Sequence, residues 1–233
     1  MNRTLNVARM QLVNKQTFVW VPALVLVGAL AVTLAVYAIL RSSGITGDTP
    51  FYGGGAQAPL WYFAVVGAQA LTLTFPFSQA MSVSRREFFA GTLLIALATS
   101  AALALAFVAG GLVEEATGGW GMNGYFFKLD WLWTAGPVVA GLFYLALAML
   151  FFIVGFAGAT VYKRFGPVAL TAVILGVLVI LVAALWLVGA LDAWQTVFGT
   201  IADAGPIGLT LAIAALVVVL AGVSFPVLRR ATP

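Results

Sequence analysis

The chain has no cysteine and no histidine. Disulfides, thiolate nucleophiles and Cys/His metal sites are therefore excluded, as is acid–base chemistry on an imidazole. Lysine is scarce, at three in 233 residues. Charge of either sign is scarce too, at 8% of residues against 63% hydrophobic. A soluble surface carries about 25% charged residues, so lipid must be the solvent for most of the chain. One integral membrane domain over residues 1–233 is expected.

Reactive constellations are missing as well. Gly53 to Gly55 are not followed by the Lys-Ser/Thr of a phosphate loop. There is no H-E-x-x-H and no G-x-S-x-G. Glu114 and Glu115 stand beside glycines and read as a solvated loop, not a catalytic dyad. A non-catalytic chain with no metal or cofactor of its own is expected, and no nucleic-acid partner. No cleavable signal peptide is expected either, because the first apolar run, from near Phe18, exceeds a signal h-region of about 7–15 residues.

What is present is a series of long apolar runs, at about 18–40, 60–80, 88–112, 134–160, 167–190 and 206–228. About 20 apolar residues span the hydrocarbon core as a helix. No run has a charge near its centre, and the runs are continuous, not alternating, which favours helices over barrel strands. The fold class expected is all-α, a polytopic membrane protein of six transmembrane helices.

The charges between the runs set the orientation. Arg3, Arg9, Lys15, Arg85, Arg86, Lys163, Arg164, Arg229 and Arg230 lie at the N-terminus, in alternate connections and in the tail. The other connections hold six of the seven acids. This bias predicts both termini and the short basic loops in the cytoplasm, and a multi-pass protein of the cytoplasmic (inner) membrane. Aromatic residues near both ends of the runs fit interfacial belts.

Within the runs the polar groups are neutral. Gln69 and Thr72, three apart, share a helix face and could line a path or hydrogen-bond between helices. Ala98, Ala102, Ala106 and Gly110 recur every fourth position, a stripe that lets another helix approach. Residues 2–17 place Leu5, Ala8 and Leu12 on one approximate face, on which Arg9 intrudes, and fit a helix along the inner surface. In residues 191–205, Asp192 is a plausible cap for a short interfacial or re-entrant helix through Trp194, Val197, Phe198 and Ile201.

One stretch remains, "MSVSRREFFAGTLL", residues 81–94. It matches the twin-arginine pattern, but two spans precede it and that signal is N-terminal. Locally, Ser84 and Glu87 form the S-x-x-E of a capping box before an apolar run, so a helix should start there.

The same stretch, between a second and third span, resembles a loop of the membrane subunits of ATP-binding-cassette (ABC) exporters of the type-two permease family. Chain length, six spans and a surface helix before the first span are similar too. The resemblance implies that Ser82, Val83, Ser84, Arg85, Arg86 and Glu87 form a coupling helix against a separate ATPase subunit, with Arg85 and Arg86 making charge-assisted contacts. It implies that residues 2–17, with Arg3, Arg9 and Lys15, are a connecting helix, and that 191–205 re-enters the membrane. ATP and Mg would be bound by the partner ATPase, and a second copy or a related permease would complete the path. The apolar spans lean towards a hydrophobic substrate: a lipid, drug or peptide. The residues alone also fit a stand-alone six-span facilitator or a non-transporting membrane scaffold.

Overall fold

The computed structural model describes residues 3–44 and 50–230. Asp48, one of the six acids counted above, and the side chain of Arg3 lie outside the described residues. The architecture is helical, with one two-residue parallel ladder. In chain order the elements are α1 (Arg3–Val13), α2 (Val21–Ser42), β1 (Phe51–Tyr52), α3 (Gln57–Thr72), α4 (Thr74–Ala80), α5 (Arg85–Thr117), β2 (Gly124–Tyr125), α6 (Asp130–Trp133), α7 (Pro137–Ala190) and α8 (Trp194–Arg229). A π turn, Gln16–Trp20, leads into α2.

Among the described residues, five helical stretches are long and apolar enough to cross a membrane: Gln16–Ser42, Gly54–Ala80, Arg85–Thr117, Pro137–Ala190 and Trp194–Arg229. They mark a multi-pass membrane protein. The second is interrupted at Leu73, because Pro76 has no N–H to offer the Thr72 carbonyl one turn back. The fourth is 54 residues long, about 81 Å if straight. It is not straight: Gly166 leaves helical geometry at φ 84° and ψ 177°, just before Pro167. Leu170 then lies against Gly158, residues that a straight helix would hold about 18 Å apart. The fifth breaks in the same way at Gly205, before Pro206.

The core lies between α3, α5 and the first half of α7. Phe75, Phe88, Phe107, Phe152 and Phe156 are fully buried there. α3 and α7 make the closest approach: a Cβ on Gly67 would strike the Phe152 backbone, and one on Gly155 the Ala64 backbone. In lipid, such small-residue contact replaces the hydrophobic drive towards association. The second half of α7 is different. Residues 171–187 are exposed on every side.

The two ends of the bundle can be told apart by their contacts. At one, α1 packs on the start of α5 and the end of α8 bonds back to Arg85. This end carries both terminal helices and is the termini end. At the other, the connections 50–56 and 118–133 knit into a cap. β1 pairs with β2 (Phe51 opposite Gly124), and the Tyr37 hydroxyl donates to the Tyr125 carbonyl at 3.0 Å. Arg41 donates to the Gly121 carbonyl, and the Tyr144 hydroxyl to Phe127 O at 2.6 Å.

Glu114 holds the cap together and corrects the solvated-loop expectation. It sits on α5, fully buried. Its two oxygens accept from Trp120 Nε1 and from the backbone N–H groups of Phe126, Phe127 and Lys128, at 2.8 to 2.9 Å. Glu115 is also on α5 and not in a loop, but it is exposed as expected and pairs with Lys128 at 3.0 Å. Trp120 is held at φ 58°, a region costly for a bulky residue. Its indole bond to Glu114 is part of what fixes it there.

Candidate functional site

The 81–87 turn is stopped and started by local chemistry. α4 ends with Ser82 in the left-handed region, φ 57°. Ser82 N–H donates to Gln79 O and Val83 N–H to Ser78 O, the bond pair that closes a helix C-terminus. α5 then begins with the capping box read from the sequence. Ser84 Oγ accepts from Glu87 N at 3.2 Å, and Glu87 Oε2 accepts from Ser84 N at 3.0 Å. Phe75 before the turn and Phe88 after it are fully buried, edge to face at 5.1 Å. Both flanking helices are thus anchored in the core, and little slack remains between them.

The two arginines are not equivalent. Arg85 folds back across the end of α8, donating to Leu228 O at 3.3 Å and to Arg229 O, with its guanidinium 6.0 Å from the Phe75 ring. A cation there also suits the C-terminal end of the α8 dipole. Arg86 is exposed, and no carboxylate of a described residue pairs with it. It shares a concavity of about 500 Å³ with Ser84, Arg85, Phe225 and Arg229. Met81, Ser82 and Ser84 are exposed, and Val83 and Glu87 half-buried.

α1 stands on the other side of the turn. Its buried face is Val7, Ala8 and Gln11, not Leu5, Ala8 and Leu12. Leu5 and Leu12 are 46% and 37% exposed. The physical reason is Gly91 of α5: a Cβ there would strike Val7, so the close contact selects the α1 face. The Gln11 amide donates to Thr92 Oγ1 at 2.7 Å, inside that contact. Arg9 and Lys15 are exposed. Between α1 and the turn runs an apolar groove of about 630 Å³, walled by Val7, Met10 and Val13 and by Phe77, Met81 and Val83. The turn is therefore flanked by an apolar groove on one side and a basic concavity on the other.

Other expected residues are placed as follows. The Thr72 hydroxyl donates to Ala68 O at 3.0 Å, within its own helix, and Gln69 is half-buried. Asp192 is not the cap: α8 has Ala193 at its N-cap position without a side-chain bond, and Asp192 itself turns the chain at φ 48°. The α5 stripe does not receive a helix. A Cβ on Gly110 would strike the Phe127 ring, while Ala98, Ala102 and Ala106 are exposed. Sequence reasoning missed Gly67 and Gly155, whose only signal was a glycine within an apolar span, and the Arg85 bond to α8, which has no local signal. Among the described residues no three acidic side chains come together to hold a metal ion.

Comparison with protein-family models, with curated proteins and with solved structures finds no match.

Proposed function

We propose that this chain is the membrane-spanning permease subunit of an ATP-driven ABC exporter, coupled to a separate ATPase through the 81–87 turn. The observation that carries the reading is the turn itself: capped on both sides, anchored by Phe75 and Phe88, and flanked by an apolar groove and an arginine-lined concavity. A partner that closes on ATP must push on something that does not yield, and a rigid turn fused to a 33-residue helix transmits the push. Arg86 and Arg229 offer charge for acidic side chains of the partner, and Met81 and Val83 offer an apolar contact. ATP and Mg sit on the partner.

The proposal includes six crossings with both ends in the cytoplasm. Its support is the fold-back of α7 at Gly166 and the meeting of α1, the 81–87 turn and the α8 terminus at one end. That meeting supports an even number of crossings, and the basic charge of this end favours the inside. The bare helix 171–187 leaves a surface for a second copy or a related permease, which completes a path for a hydrophobic substrate.

Affinity purification of the tagged full chain from its own membranes in mild detergent tests the reading. A nucleotide-binding ATPase should co-elute and hydrolyse ATP. A stable chain that elutes without one is a facilitator or scaffold, and the proposal fails.

A further inference from the structure

Between α2 and α5 lies a second groove, of about 360 Å³, on the lipid side of the bundle. Its floor is the stripe Ala98, Ala102 and Ala106 with Phe63 of α3 behind, and its walls include Pro22 and Leu26 of α2. Along α5 the lining runs from Ile95 to Ala106, about 16 Å at 1.5 Å per residue. That matches one leaflet of hydrocarbon, half of about 30 Å. At the cap side the stripe is closed by Phe127 over Gly110. The only polar side chain in the lining is Thr99, whose hydroxyl is spent on Ile95 O at 2.8 Å. Nothing inside can bond a polar ligand, and an unfilled groove would forfeit its dispersion contacts.

Two cations stand close in sequence to the residues at the mouth. Leu12 and Phe18 line it. Arg9 lies three residues before Leu12 on α1, so the two share a face. Lys15 follows Leu12 by three, at the junction with the π turn that carries Phe18. Both cations are exposed. Arg9 lies off the buried face of Val7, Ala8 and Gln11, on the side of α1 that carries Leu12.

We propose that this groove is a binding site for an anionic phospholipid of the leaflet at the termini end. One acyl chain lies along Ala98, Ala102 and Ala106, and the phosphate sits between Arg9 and Lys15. An apolar bore one leaflet deep under two cations fits an anionic two-part ligand and no other class so well. The site does not depend on an ATPase.

The test uses the purified full chain in mixed micelles of phosphatidylglycerol and phosphatidylcholine. Retained lipid is read by native mass spectrometry. A phosphatidylglycerol with a diazirine in its acyl chain maps the contact. The wild type should retain phosphatidylglycerol preferentially and cross-link within 95–106. Removing both cations (Arg9→Gln with Lys15→Gln) should lower that retention roughly 20–30-fold, from about fivefold per cation near an anionic surface. Ala102→Phe should abolish the cross-link with the cations intact. Ala106→Leu serves the same purpose should Ala102→Phe fail to fold. Equal retention of the two lipids overturns the headgroup assignment. A cross-link unchanged in the filled-groove variants overturns the seat of the chain.

Discussion

At the cap end Glu114 is fully buried, and its oxygens accept four N–H bonds from residues 120 to 128. At the termini end Glu87 is half-buried and closes a four-residue capping box with Ser84. Two carboxylates thus organise the two ends of one helix, α5, by opposite means. The first gathers distant chain into a closed structure by accepting from its backbone N–H groups. The second settles its own helix start and leaves Met81, Ser82 and Arg86 facing outward. A closed end suits a wall, and a rigid end with exposed groups suits a docking surface. The asymmetry between them is what points the functional reading at 81–87.

The largest effect is expected at the closed end. Glu114→Ala leaves four donors without their acceptor. At about 1.5–3 kcal/mol for each bond to a charged group, and allowing for water entry, the loss should exceed about 3 kcal/mol. Denaturation in detergent measures the loss, and hydrogen exchange over 118–128 should rise with it. A change below about 1 kcal/mol would show that the cap stands without Glu114.

The next contrast divides the two arginines. Arg85→Glu breaks the bonds to Leu228 and Arg229 and puts an acid at a helix C-terminus, for an expected loss of about 1.5–3 kcal/mol. Arg86→Glu should change stability by less than about 0.5 kcal/mol, as exposed sites do, yet should weaken ATPase binding. Equal destabilisation by both would erase the distinction.

The smallest effect is a pH dependence confined to the cap. The Tyr52 hydroxyl donates to Asp130. Burial first, then that bond and the nearby negative charge, push its pKa up to about 12 from 10. A phenol whose folded pKa is raised contributes stability below pH 10 and loses it as pH rises towards 12. Stability should therefore fall more steeply between pH 10 and 12 in the wild type than in Tyr52→Phe. Absorbance titration of tyrosinate should show one fewer high-pH group in the variant. Identical curves would place Tyr52 outside the cap network.

Much of this was legible in the sequence where the cause is local. The apolar runs mark the helices because crossing hydrocarbon demands about 20 apolar residues in a row, and Ser84 with Glu87 marks a helix start because the capping bonds span three residues. The cap was not legible. Its bonds join Glu114 to residues up to fourteen positions away, and the glycines that permit its turns, such as Gly119 at φ 66°, look the same as loop glycines. The α1 face was misread because Val7 and Gln11 are chosen by Gly91 and Thr92, partners more than 80 positions off. The alanine stripe was read as a surface for a closely packed helix, when Ala98, Ala102 and Ala106 are exposed and floor a groove.

The most direct measurement is photo-cross-linking in native membranes from two exposed positions, Met81 at the termini end and Trp131 at the cap end. A photoreactive residue replacing Met81 should give an adduct with a nucleotide-binding ATPase, lost when Arg86→Glu is added, while one replacing Trp131 gives none. No ATPase adduct from Met81, or the same adduct from both ends, would contradict docking at the 81–87 turn.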